Sequence, residues 1–248
     1  MNNIKVSVAI PVYEMDGRGA EFLKYCIQSI LLQTYPVYEI VISDHSKNDD
    51  IFNLCNPWPP NVKYVRNKEN YGIFASNMNN CFRYCTGDII KIMHQDDFFY
   101  KQDSLSETVN SFDLDKGWLL SSYYHSNNGK DIFNLHTPKI RKCPLFDNRI
   151  GAPTCLTIKN EDILYFDENL KWYVDTDYYV GLLKKYGSPV ILEKPTVVQR
   201  LWKGQVTNTI INKNVITKEI TYLYKKHDIK VEDLIDVVGQ FGHNIYED

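Results

Sequence analysis

The sequence predicts an α/β fold: a mostly parallel central sheet flanked by helices, Rossmann-like over its first hundred residues, with a helical appendage at the C-terminus. Three observations lead there. Short, β-branched runs that are apolar on both faces recur through the first hundred residues, as buried parallel strands require. Amphipathic helical patterns alternate with them, the order that right-handed crossovers impose. Polar and acidic residues follow several of the strands, at the edge where such sheets bind ligands.

The elements follow in order. Lys5 to Val12 is a central strand that Pro11 should end. Met15 to Gly19 is a loop. Phe22, Leu23, Cys26, Ile27, Ile30 and Leu31 recur at helical spacing and predict a helix from about Ala20 to Gln33. Glu39 to Ser43 is a second buried strand, ending in the polar stretch Asp44 to Asp49, and a short helix follows. Pro57-Trp58-Pro59-Pro60 is a rigid turn and Val62 to Val65 a third strand. After a turn at Asn70-Tyr71-Gly72, Phe74 to Tyr84 reads as a helix stopped by Gly87. Asp88 to Met93 is a fourth strand that runs into His94-Gln95-Asp96-Asp97. Trp118 to Tyr124 and Ala152 to Ile158 are further strands, separated by a long polar loop from His125 to Ile150. Asp175 to Lys185 is helical. Val190 to Leu192 and Thr196 to Leu201 are short strands, and Asn212 to Gly239 is mostly helical.

Composition narrows the function. The chain has 248 residues, enough for one large domain or a domain with an appendage. The 28 Lys+Arg against 31 Asp+Glu argue against a nucleic-acid coater. No apolar run approaches a membrane span, and Met1 to Ser7 lacks the basic and apolar regions of a signal peptide, so a cytoplasmic location is expected. Of six cysteines, Cys81 and Cys85 are four apart but have no clustered histidine, so reduced, buried thiols are expected over a zinc site.

Two acids on a loop after a buried strand suit a hard divalent cation that completes its shell with water and substrate phosphates; the plain alternative is a helix cap. The chain has neither a Gly-x-Gly-x-x-Gly nor a Gly-Lys-Ser/Thr phosphate loop. A nucleotide would then be held by side chains and metal.

The order of segments resembles glycosyltransferase family 2, inverting enzymes of GT-A fold that use nucleotide sugars. The matching pieces are Val8-Ala9-Ile10-Pro11-Val12-Tyr13, Ser29 to Pro36 (Ser-Ile-Leu-Leu-Gln-Thr-Tyr-Pro), Glu39 to Ser46, Asn70-Tyr71-Gly72 with Asn77 and Asn79, and Thr86-Gly87-Asp88-Ile89-Ile90. His94-Gln95-Asp96-Asp97 stands at the D-x-D motif, Ala152-Pro153-Thr154 and Trp172 to Asp177 at the acceptor-side segments, and Arg200 to Thr207 at the late basic motif. Coverage is about residues 4 to 208. Ser43, His94, Val174 and Trp202 depart from the pattern, each replacing a residue the family often carries.

The resemblance implies a catalytic unit over residues 1–208, its nucleotide-binding half at 1–100 and its acceptor-side half at 101–208, followed by a helical extension over 209–248. It implies a donor site drawn from Pro11, Val12, Tyr13, Glu14, Asp44, Asn70, Gly72, Asn79, His94, Gln95, Asp96 and Arg200. Asp44 would accept from a uracil N3–H, and Tyr13 would offer either an aromatic face to the base or plain packing. Asp96 and Asp97 would hold Mn2+ or Mg2+, with the direct ligand of the two left open. Asp175 would be the general base, and Asp177 either a second acid or a helix-start residue favoured by the dipole. Lys203, Gln205 and Thr207 are further candidates for diphosphate or acceptor contacts. Trp202 would stack on a sugar or pack in the core, while His45 and His94 would be hydrogen-bonding neighbours. The expected partners are a nucleotide-sugar donor, a UDP-hexose, and a glycan or lipid-linked acceptor of surface polysaccharide synthesis, with no nucleic acid.

Residues 200 to 230 carry seven Lys/Arg and two acids, and residues 231 to 248 five acids and no Lys or Arg. With Ile216, Ile220, Leu223 and Tyr224 on one helical face, the segment could dock peripherally on an anionic membrane or pack on the catalytic unit. The rival functions are a nucleotidyltransferase, which would more often carry a basic glycine-rich loop after the first strand, and a non-catalytic sugar-binding protein.

Overall fold

The computed structural model describes residues 4–54, 58–141, 144–205 and 213–229. Its centre is a sheet of nine strands: β1 (Val6–Val12), β2 (Glu39–Asp44), β3 (Val62–Arg66), β4 (Ile89–Ile92), β5 (Phe98–Phe99), β6 (Trp118–Ser126), β7 (Phe133–His136), β8 (Leu156–Lys159) and β9 (Val190–Arg200). The helices are α1 (Gly19–Leu31), α2 (Asp50–Leu54), α3 (Phe74–Tyr84), α4 (Ser104–Ser111), α5 (Val174–Tyr186) and α6 (Lys213–His227).

The strand order is β3-β2-β1-β4-β8-β6-β9-β5, with β7 paired to β6. From β3 to β4 every pairing is parallel, as the alternating pattern predicts. Beyond β4 the sheet is mixed: β8 runs antiparallel to both β4 and β6, and β6 and β9 are parallel. The parallel reading therefore holds among β1 to β4, and antiparallel neighbours enter where the regular strand–helix alternation stops.

β1 and β2 are buried along their whole length, which their apolar, β-branched composition makes favourable. Pro11 does not end β1, which runs on to Val12. The carbonyls of Val6 and Val12 bond toward β2, so Pro11 faces β4, whose pairing with β1 stops at Ala9. No ladder bond is lost there. α1 buries Phe22, Leu23, Cys26, Ile27 and Ile30, the stripe its spacing predicts.

Three elements, α4, β5 and β7, are additions to the sequence reading. α4 buries only Leu105 and Val109 as apolar anchors, too few for a clear period. β7 converts part of the predicted 125–150 loop into a hairpin with β6, and Asn127-Asn128-Gly129 before it was the available turn signal. The two short strands predicted over 190–201 are one continuous strand, β9, whose register on β6 slips around Pro195.

Cys26, Cys81, Cys85 and Cys155 are free and buried, as expected of reduced thiols. Among the described residues no helix is long and apolar enough to cross a membrane. The apolar face of α6 is turned inward: Leu223 is fully buried, and Ile220 and Tyr224 pack on the core. That is the packing alternative for this helix, and it leaves those three side chains unavailable to a bilayer.

Candidate active site

β1 and β4 are neighbours whose crossovers leave in opposite directions, so their carboxyl ends form the switch point where ligands bind in such sheets. Tyr13 and Glu14 leave β1 there, and His94-Gln95-Asp96-Asp97 leaves β4. The Gln95 side chain joins the two exits. Its Oε1 accepts from the Tyr13 N–H at 2.7 Å, and its Nε2 donates to the carbonyls of Tyr13 and Gly19 at 2.9 and 3.1 Å. Gln95 is thus a buried clamp and not the donor contact that the resemblance implies. Pro11 and Val12 are buried as well, and of the β1 exit only Tyr13 and Glu14 present side chains to solvent.

The last strand braces the acidic loop. The Arg200 N–H donates to Asp97 Oδ1 at 2.8 Å, Arg200 Nε to the Asp96 carbonyl at 3.0 Å, and Trp202 Nε1 to Asp96 Oδ2 at 3.1 Å. The Arg200 guanidinium lies over Phe22, Tyr25 and Phe98, at 4.9, 5.8 and 5.7 Å from their ring centroids. It is a buried prop beneath the loop. Trp202 packs edge-on against Phe22, and Gln205 donates to the Arg200 carbonyl. Thr207 lies outside the described residues.

His94, Asp96 and Asp97 each offer a ligand atom, all within 4.8 Å of one another. Asp97 Oδ2 and His94 Nε2 are buried without a hydrogen-bond partner among the described residues; the Thr154 hydroxyl lies near Asp97 and 3.5 Å from the Met93 sulfur. Burial lifts the Asp96 carboxyl to about 6 and Asp97 well above the usual carboxylate range, and the neighbouring Asp96 charge adds to the latter. Burial, with Lys91 nearby, lowers His94 to about 4, so its imidazole is neutral at pH 7 and able to ligate. Unpartnered buried acceptors beside two strained carboxyls fit a divalent cation. His94, expected to be only a hydrogen-bonding neighbour, belongs to this donor set.

Asp44 is held within the protein on several sides. Its side chain is fully buried. Oδ2 accepts from the Tyr64 hydroxyl at 2.6 Å, Oδ1 accepts from the Ser46 N–H at 2.7 Å, and Arg66 Nε stands 3.4 Å from Oδ2. What faces solvent is the cleft in front of Asp44, about 640 Å³ in volume, lined by Ser46, Lys47, Phe52, Tyr64, Arg66 and Tyr71 among others. His45 stacks on Tyr71 and bonds to the Glu69 carbonyl, so it shapes this cleft.

Two further donor-site assignments are structural. Asn79 is buried, donates to the Phe166 carbonyl at 2.9 Å and accepts the Phe166 N–H at 2.8 Å. Its amide also reaches Glu168, as does the Asn70 amide. These contacts stitch α3 and the 70–72 turn to the 163–173 segment. Gly72 has φ +77°, a conformation glycine adopts without strain, so its place is a turn requirement. Asn79→Ala leaves both Phe166 backbone groups unpaired in the interior. It should cost on the order of 2–4 kcal/mol, read as a lower urea midpoint at unchanged m.

Asp175 is the second residue of α5. Burial alone raises its carboxyl to about 7, with no hydrogen bond or charge to offset it. The turn Pro153–Cys155 leads from the acidic loop toward it: the Thr154 hydroxyl lies beside Asp97, while Cys155 is within electrostatic range of Asp175. Lys91, buried on β4, holds that turn by donating to the Thr154 carbonyl. Asp177 points elsewhere, as their helical offset requires, and pairs with Lys226 and His227 at 2.8 Å each.

The structure so assembles His94, Asp96 and Asp97 with Tyr13 and Glu14 at one sheet edge, and sets Asp175 beyond the Thr154 turn. It assigns scaffold contacts to Asp44, Gln95, Asn79 and Arg200. Sequence reasoning passed over Tyr64, Arg66 and Glu168. An Arg ending a strand next to the Asp44 strand was the available signal for Arg66.

Known proteins share both sequence and shape with this chain. An uncharacterized glycosyltransferase of Rickettsia conorii is 29% identical over 231 residues, 86% of this chain and 35% of the relative. The putative glycosyltransferase EpsE of Bacillus subtilis is 30% identical over 100 residues, 39% of this chain and 34% of the relative. The chain thus spans about a third of the length of these curated relatives. Among solved structures, residues 1–349 of TarS from S. aureus, in complex with UDP-GlcNAc, match with a TM-score of 0.65 at 16% identity, over 84% of this chain and 62% of that one. The mannosyltransferase PcManGT from Pyrobaculum calidifontis, in complex with GDP-Man and Mn2+, matches with 0.59 at 17% identity, over 82% of this chain and 59% of that one. These likenesses give the α/β fold expected from the motifs. The family profile described as Glycosyl transferase family 2 matches residues 7–181, from β1 into α5, and the chain belongs to that family.

Proposed function

We propose that the chain is an inverting, metal-dependent glycosyltransferase, its catalytic unit residues 1–208, that moves a hexose from a nucleotide sugar to an acceptor hydroxyl. The observation that carries this reading is the pairing of unlike sites: an acidic–imidazole cluster with unpartnered buried acceptors, and a separate, lone carboxyl near neutral pKa across the Thr154 turn. The donor is a UDP-sugar and the acceptor a glycan or lipid-linked oligosaccharide of surface polysaccharide. The complexes of TarS with UDP-GlcNAc and of PcManGT with GDP-Man support a nucleotide-sugar donor.

His94, Asp96 and Asp97 would hold Mn2+ or Mg2+, whose Lewis acidity stabilises the charge that grows on the departing diphosphate. Asp175 takes the proton from the acceptor hydroxyl. The freed oxygen attacks the anomeric carbon as the bond to the nucleotide oxygen breaks, and one displacement inverts the centre. Arg200 and Trp202 keep the acidic loop from shifting, and Gln95 locks it to the β1 exit, which preorganises the site. A base raised to about 7 is half ionised at neutral pH, so transfer should rise with pH through about 7 and level off about a unit above it.

A nucleotide-release assay over a panel of nucleotide sugars, with Mn2+, with Mg2+ and with chelator, tests the reading. Metal-dependent release from a UDP-sugar is the expected result. Release from no donor in any metal would leave the non-catalytic reading in its place.

A further inference from the structure

α6 lies beyond the residues that the family profile covers, yet it holds the chain on both sides of Asp175. Glu219, on the inner face of α6, is buried. Its Oε1 accepts from the Lys171 N–H at 2.8 Å, and its Oε2 from the N–H groups of Trp172 and Tyr173 at 3.0 Å each. One carboxylate thus satisfies three successive backbone donors in the loop that enters α5, immediately before Val174 and Asp175. It sits at the positive end of the α5 dipole, where a negative group is favoured, and bonds to an ionised acceptor are the strong kind. One turn along, Lys226 Nζ and His227 Nε2 each reach the Asp177 carboxylate at 2.8 Å, and Lys226 also reaches Asp167 at 2.6 Å. The apolar contacts of Leu223 and Tyr224 lie between these two anchors.

Among the described residues no hydrogen bond orients the Asp175 carboxyl. Its direction is therefore set by the backbone on either side, and that backbone is fixed from α6. We infer that α6 is a brace for the catalytic base, with Glu219 as a positioning residue that sets where the Asp175 carboxyl points. This rests on the reading of Asp175 as general base. A base displaced by about 1 Å can cost up to about a hundredfold in rate without any change in donor binding, which separates a positioning role from a merely stabilising one.

The test uses the full chain. Glu219→Ala should lower kcat about tenfold or more while UDP affinity stays within about twofold, because no donor-site residue touches Glu219. Glu219→Gln can keep its carbonyl oxygen at the Oε2 position, so it should restore part of that loss. Amide hydrogen exchange at Lys171, Trp172 and Tyr173 should quicken in the same order. Wild-type kcat in Glu219→Ala despite faster exchange would overturn the inference, as would kcat and UDP affinity falling in step. Should Glu219→Ala not fold, the double variant Lys226→Met with His227→Leu releases Asp177 from the same helix and carries the same split of kcat from UDP affinity; an unchanged kcat there overturns it equally. Asp175→Asn is run beside them. Normal turnover in that variant removes the base assignment, while the exchange rates at 171–173 still read the brace directly, so the two failures are distinct.

Discussion

Asp175→Asn is expected to bind UDP as the wild type does and to lose glycosyl transfer by about a hundredfold or more, the contribution of a positioned general base. The substitution keeps the shape of the side chain and removes its capacity to take a proton. Because burial alone raises the Asp175 carboxyl to about 7, the sign of the accompanying stability change is fixed. A carboxyl raised from 3.8 to about 7 by folding binds more protons in the folded state between those values. Stability is thus lost as pH rises from about 4 to about 7, and the full cost persists above that. Asparagine escapes this cost, so the variant should melt higher than the wild type at pH 8 and the difference should vanish near pH 4. Loss of transfer with a gain in stability is what a functional, half-buried acid with a raised pKa produces. Near-normal release of nucleotide by Asp175→Asn, across the pH range, would assign the base to another residue.

The parallel half of the fold was legible because its strands are buried on both faces and its helices carry clean stripes. β1, β2, α1 and α3 announce themselves by period and by composition. α4 and β7 did not, since each depends on partners far along the chain and not on its own pattern. The same division runs through the site. The acidic loop, the Asp175 segment and the exposed Tyr13 could be read from motif order. Whether a motif residue faces the ligand or the scaffold could not. Asn79, Gln95 and Arg200 all spend their polar atoms on backbone groups 76 to 104 residues away in sequence. Pairings at that distance leave no local trace. His94 shows the converse case. Judged by ligand spacing alone it looked like a neighbour, and only the turn of the loop brings its ring to the carboxylates. Glu219 had no sequence signal at all beyond an acid on the inner face of a helix.

Asp97→Asn should reverse the usual relation between stability and function at the other end of the site. Asp97 Oδ1 accepts the Arg200 N–H, and an asparagine carbonyl can keep that bond. What the substitution removes is the charge at Oδ2, which is buried without a partner and stands 3.7 Å from the His94 ring. Two neighbouring acids in a dry pocket raise each other's cost of ionisation, and deleting one relieves both. Without added metal the variant should therefore melt higher than the wild type at neutral pH. With Mn2+ the order should invert. A cation bound only by the folded state stabilises it by about 2.7 kcal/mol at a hundred times its Kd. The wild type should show that gain together with tighter UDP binding, and Asp97→Asn should show neither. Thermal melts and UDP titrations, each with Mn2+ and with chelator, read both halves of the expectation. Equal metal-induced gains in the two proteins would place the cation away from Asp97 and leave its buried oxygen without an explanation. Asp96, already bound to the Trp202 indole through Oδ2, would then have to hold the ion without its neighbour.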